Sequence, residues 1–148
     1  MAPSIKTRAI DIADYILKKN GGMSVMKLQK LVYYSQAWTL VWTDHALFPE
    51  EIEAWADGPV VSKLYEKHRG NFRVEKGFFG GNPASLDVNK RNAIDKVLAF
   101  YGDKDAQWLS NLTHLERPWL EARKGLLPDE RGNNVISKES LLSYYSSL

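Results

Sequence analysis

KLQKLVYYSQAWTLVW, residues Lys27 to Trp42, is the longest apolar-rich stretch of the chain without glycine or proline, and its periodicity decides the fold. At about 100° per residue, Leu28, Leu31, Val32, Ser35, Trp38, Thr39 and Trp42 share one broad face, the stripe of a core-facing helix. On the opposite face Gln29, Tyr33, Gln36 and Leu40 recur at i, i+4, i+7 and i+11, a row without charge, so other elements are expected to cover part of that side too. Ser24 is placed to cap the first turn, and Gly21 and Gly22 break the chain before it. A central buried helix over about Ser24–Trp42 follows, in which burial of Trp38 would contribute roughly 1.5 to 3 kcal/mol.

Upstream, Ile5, Ala9, Ile12, Ala13, Ile16 and Leu17 line one side of a first helix over residues 4–19, with Asp11, Asp14 and the basic residues mostly elsewhere. The Gly-Gly turn makes the two helices a close pair, but a DNA-reading helix needs basic and amide groups facing solvent. The second helix offers mainly apolar and aromatic ones.

Downstream of a loop over 43–50, Glu51 to Trp55 alternates, with Ile52 and Ala54 facing one way and Glu53 and Trp55 the other, which predicts a short strand. Gly58-Pro59 reads as a turn, with Pro59 at the first position of a helix running about Val60 to Lys67. Phe72 and Val74 predict a second extended piece pairing beside 52–55. Phe78 and Phe79 sit in a glycine loop that either tucks them under or offers them to a partner, and Gly80-Gly81 would let that loop move.

Asp87 or Ser85 caps a helix through Val88, Ile94, Val97, Leu98 and Tyr101, stopped by Gly102 in a left-handed conformation. Asp105 caps another through Trp108, Leu109 and Leu112. A helical turn after Arg117-Pro118 carries Trp119 and Leu120, an extended piece covers Val135-Ile136, and a last helix follows Ser137. The fold class is mainly α with a small antiparallel β-sheet, as one domain over residues 1–148.

The chain has 148 residues, 44% hydrophobic and 26% charged, with a net charge of +2, which is too small to point to nucleic acid or an anionic membrane. It contains no cysteine, so disulfides, thiolate nucleophiles and Cys-based zinc sites are excluded. No segment reads as a signal peptide or membrane span, which predicts a cytoplasmic protein. Phosphate-binding glycine loops are absent, and His45, His68 and His114 are scattered without metal-ligand spacing, so no cofactor or metal is expected. The aromatic share of 11% is a weak pointer to a protein interface.

One constellation needs weighing: Thr113, His114, Glu116 and Trp119 fall together at a helix break. His114 and Glu116 are the residue types of an acid–base pair. The structural alternative, which the spacing favours, has Glu116 facing the free N–H groups of the next turn and His114 bonding a backbone carbonyl.

Four blocks, KLQKLVYYSQAWTLVW, LFPEEIEAWADGPVVSKLYEKHRG, LSNLTHLERPWLEARKG and NNVISKESLLSYY, in that order over about Met23 to Tyr145, resemble the Panacea-domain family of SocA-like antitoxins and phage-associated GepA-like proteins. The resemblance implies an antitoxin of a bacterial or prophage toxin–antitoxin module that neutralises its toxin by direct protein–protein binding. In the SocA-like branch it implies a proteolytic adaptor delivering the toxin to a cytoplasmic protease, and an enzyme working through His114 and Glu116 is the remote alternative. Some members carry an added N-terminal DNA-binding domain. Here the matching blocks start near the N-terminus, which gives no support to autorepression.

The family's motif positions fall on Lys27, Leu28, Lys30, Leu31, Tyr34, Gln36 and Trp38, on Glu53, Trp55, Gly58, Pro59, Val60 and Tyr65, and on His114, Glu116, Pro118 and Trp119, mostly as fold determinants. Trp55, Tyr65 and Trp119 combine large area with a polar end and are the expected partner contacts, since hot spots favour such residues.

Overall fold

A computed structural model describes residues 7–148, and the central helix forms where its periodicity places it. In chain order the elements are α1 (Ala9–Asn20), β1 (Met23–Ser24), α2 (Val25–Thr43), β2 (Ile52–Trp55), β3 (Gly58–Val61), α3 (Ser62–His68), β4 (Arg73–Val74), a 3-10 turn (Pro83–Ser85), α4 (Val88–Tyr101), α5 (Ala106–Leu115), α6 (Arg117–Ala122), β5 (Val135–Ile136) and α7 (Lys138–Tyr145). The first residues of the expected N-terminal helix, Ile5 among them, lie outside the described part; the helix itself begins at Ala9.

Ser24 Oγ accepts from the Lys27 amide at 3.2 Å and starts α2. Leu28, Leu31, Val32, Ser35 and Thr39 are buried, and so are Gln29, Tyr33, Gln36 and Leu40 on the other side. The helix is covered all round because α1, α4, α5, α7 and β3 pack against it. Trp38 is half-buried and Trp42, expected on the core face, is 43% exposed.

Two buried amides show why the second face carries glutamine and not leucine. Gln29 Oε1 accepts from Val61 N at 2.9 Å while its Nε2 donates to Val61 O at 3.2 Å. Gln36 does the same for the loop after α2, accepting from Leu47 N at 2.6 Å and donating to Phe48 O at 2.8 Å. Each side chain imitates a neighbouring strand, so backbone groups that burial would orphan are paired.

The main sheet is antiparallel in the order β3-β2-β5, with Ile52 opposite Val61 and Ile136. Pro59 lies in β3, not at a helix start, and α3 begins at Ser62. An edge strand accepts proline where the N–H would face away from its neighbour. Val61, two residues on, points both its backbone groups at Gln29, so by alternation the Pro59 nitrogen also faces outward. Arg73–Val74 does not pair with β2 as expected. Its partner is β1, with Met23 opposite Val74, and the third place in the main sheet goes to β5. Two-residue strands carry too little pattern for sequence to assign partners.

Asp11 and Asp14 were expected on the outer side of α1, yet both are buried. Asp14 accepts from the Phe79 and Gly81 amides at 3.2 and 2.6 Å, and Asp11 accepts from Asn82 N at 2.6 Å and from Arg8 N at 2.9 Å. These carboxylates hold the glycine loop against α1 with charge-assisted bonds. Gly81 therefore serves close approach and not motion, because a Cβ there would lie 2.7 Å from the Ile10 carbonyl oxygen. The loop divides its aromatic pair, burying Phe79 and leaving Phe78 exposed.

Asp87, Asp105 and Ser137 cap α4, α5 and α7, each accepting from the amide three residues on. Gly102 ends α4 in the right-handed region at φ −67°, not the left-handed one, because the backbone continues into a further turn before α5.

Candidate functional site

Residues 54–58 form the tip of the β2–β3 hairpin, and the local sequence explains its shape. Gly58 has φ +119°, a conformation that L side chains rarely adopt, and a Cβ there would meet Lys30 Cε at 2.6 Å. Four consecutive carbonyls of this segment each face a polar side-chain atom from α5, α6 or the residue after it. Arg123 Nη1 donates to Ala54 O at 3.0 Å, Trp119 Nε1 to Trp55 O at 2.8 Å and Ser110 Oγ to Asp57 O at 3.1 Å, while His114 Nε2 lies 2.9 Å from Ala56 O. A turn held in this way needs little further ordering.

On the outer side of the turn, Trp55 meets Tyr65 edge to face at 4.9 Å between centroids and donates its indole N–H to Glu53 Oε1 at 2.8 Å. Both rings are half-buried. Glu53, Trp55, Asp57, Arg131 and Asn133 line an open hollow of about 500 Å3 that combines both charge signs with an aromatic wall. The structure thus brings Trp55 and Tyr65 together at the surface. Trp119 stands behind them, 5% exposed and packed at a tilt against His114 with 4.2 Å between ring centroids, so it supports the turn from inside.

His114 and Glu116 diverge. The two ring nitrogens of His114 face the carbonyls of Ser110, at 2.6 Å, and Ala56, so a neutral ring donates its one N–H to a backbone oxygen, and His114 and Glu116 share no hydrogen bond. Glu116 does not cap the following turn as the structural alternative had it. Its Oε1 accepts instead from Tyr34 at 2.7 Å and Tyr145 at 2.8 Å, and Tyr145 in turn meets the Tyr33 hydroxyl at 2.9 Å. Burial raises the Glu116 carboxyl above its ordinary value, opposed by the two tyrosine bonds. The same burial pushes the Tyr33, Tyr34 and Tyr145 hydroxyls up.

A carboxyl raised on folding contributes stability that is fully present below its unfolded value and is lost as pH rises through the raised one. Glu116→Gln keeps an acceptor and removes that titration. The thermal midpoint of the wild type relative to Glu116→Gln is therefore expected to fall as pH rises above the ordinary carboxyl range. A difference that stays constant over this rise would contradict the assignment.

The other motif residues are placed as supports. Leu28 and Leu31 are fully buried, Tyr34 stacks on Tyr101 at 4.2 Å, and Trp38 donates to the Tyr101 hydroxyl at 3.0 Å. Pro118 is buried in the first turn of α6 and Val60 in β3, while Lys27 is half-buried at the start of α2. Lys30 is 1% exposed beneath Gly58 and forms no ion pair among the described residues. Burial pulls its amine down to about 8, partly opposed by the charge of Asp57.

Sequence reasoning missed Ser110, Arg123 and Tyr145. A lone serine or arginine on an amphipathic helix carries no periodic signal of a carbonyl partner. The paired tyrosines of the last helix were the one available hint.

The sequence profile described as "Antitoxin SocA-like, Panacea domain" matches residues 28–120. That span starts in the first turn of α2, takes in the hairpin and α5 and ends inside α6, so the NNVISKESLLSYY block of the wider resemblance falls beyond it. No curated protein and no solved structure matches the chain.

Proposed function

Because the chain belongs to the SocA-like Panacea antitoxin family, we propose that it neutralises a protein toxin by binding it directly through the clamped β2–β3 turn, with Trp55 and Tyr65 as the contact side chains. The observation that carries this placement is the row of four held carbonyls, which makes a loop tip into a fixed surface bearing two aromatic rings. Such rings with a polar end are the side chains that concentrate binding energy. Trp119, His114 and Arg123 act on the partner only through the turn. The divergence of His114 and Glu116 favours binding over acid–base turnover at this break. No helix among the described residues is long and apolar enough to cross a membrane.

The test starts from the reading frame adjacent to this gene. Its product is expected to arrest growth when expressed alone, to be harmless when both are expressed, and to co-purify with this chain at undiminished toxin level. Rescue that depends on loss of the toxin, and disappears in a protease-deficient strain, would instead identify a proteolytic adaptor. Rescue without any complex would contradict direct binding.

A further inference from the structure

A second surface, sharing no residue with the hairpin hollow, lies between the last turns of α2 and α4. Trp38, Trp42, Phe100, Tyr101 and Leu148 line a hollow of about 370 Å3, with Trp42 43%, Phe100 61% and Leu148 70% exposed. Its one charged lining side chain is Lys96, whose ammonium stands 5.2 Å from the centroid of the Trp42 ring. Lys96 forms no ion pair among the described residues. The adjacent Asp95 is engaged elsewhere, accepting from Tyr15 at 2.7 Å and lying 3.9 Å from Lys19. Lys96 is thus an unpaired cation at an apolar floor.

We infer that this groove docks a helix of the toxin that presents two large apolar side chains about one turn apart and a carboxylate beside them. This assignment rests on the direct-binding reading and adds a second contact to it. Trp42 on α2 and Phe100 on α4 stand exposed on either side of a shallow furrow whose floor is Trp38, Val97 and Tyr101, with the Trp38 indole N–H donating to the Tyr101 hydroxyl at 3.0 Å. A third helix seats its own i and i+4 side chains in such a furrow. The hollow holds a few side chains and no more, which suits the anchors of a helix. An exposed lysine over an indole attracts an anion while the indole supplies apolar contact, so the charge complement is Asp or Glu.

The test is titration calorimetry of the purified product of the adjacent toxic reading frame against the wild type, Phe100→Ser, Lys96→Glu and Lys96→Arg. Phe100 and Lys96 are exposed, so these variants keep the fold, which a melting curve checks. Phe100→Ser is expected to weaken binding more than about tenfold, as loss of an interface anchor does. Lys96→Glu should weaken it about tenfold, and Lys96→Arg should hold it, as expected for a charge pair. Wild-type affinity in both Phe100→Ser and Lys96→Glu would overturn the groove while leaving direct binding intact. No binding by the wild type would overturn both. Self-association of the chain through this face, lost in the same variants, would overturn it in favour of a second copy as the occupant.

Discussion

Replacing Arg123 by methionine is expected to destabilise the protein by about 3 kcal/mol, since several hydrogen bonds to one buried charged group are lost together. Arg123 is 4% exposed, and its guanidinium, 5.2 Å from the centroid of the Trp119 ring, makes its hydrogen bonds to backbone carbonyls: Ala54 in β2, Leu127 at 3.0 Å, and Pro128 and Glu130 in the loop toward β5. Methionine keeps much of the stem's volume, so the loss reports the orphaned carbonyls more than a cavity. Urea unfolding would show the change as a lower midpoint with an unaltered slope. Hydrogen exchange at residues 126–134 should quicken in the variant. A midpoint equal to the wild type would mean that water satisfies these carbonyls and that the guanidinium does not organise the loop.

Gly58→Ala should have a comparable effect for a different reason. At φ +119° an alanine is strained by about 1 to 3 kcal/mol, and its methyl would need space now held by Lys30 Cε at 2.6 Å and Thr113 Oγ1 at 3.2 Å. Relief requires the turn to lift away from α2 and α5, which pulls the Trp55, Ala56 and Asp57 carbonyls from their donors. The expected outcome is a melting point lowered by several degrees together with weakened toxin neutralisation. A variant that melts lower but neutralises fully would separate the turn's structural role from partner binding.

How far the fold could be foreseen follows from what kind of order each element has. The central helix, the caps at Ser24, Asp87, Asp105 and Ser137, and the strand at Ile52–Trp55 rest on local periodicity and capping chemistry, and these appear in the structure. Partner choice is non-local. Arg73–Val74 pairs with Met23–Ser24 because the ladder is fixed by where α1 and α2 leave the chain, which two residues cannot announce. Asp11 and Asp14 show the same limit, since a carboxylate on a helix reads as solvent-facing until a loop 65 to 71 positions away brings its amides.

For the site, Trp55, Tyr65, His114 and Trp119 were singled out from their chemistry and from the family resemblance, and the structure gathers them about one turn. Their division into surface rings and internal clamp was not foreseeable. It depends on burial, and a tryptophan in the first turn of a short helix reads the same whether it faces a partner or a neighbouring hairpin. Glu116 was placed correctly at the break, but its three tyrosine neighbours come from α2 and α7, far apart in sequence.

The most direct test compares the affinity of the wild type and Trp55→Ala for the purified toxin, both variants first shown to melt alike. Trp55 is half-buried and its indole bonds only Glu53, so truncation should leave the fold standing. Binding weakened by more than about tenfold is expected, the loss typical of an aromatic hot spot. Undiminished affinity in a normally folded Trp55→Ala protein would contradict the clamped turn as the surface that holds the toxin.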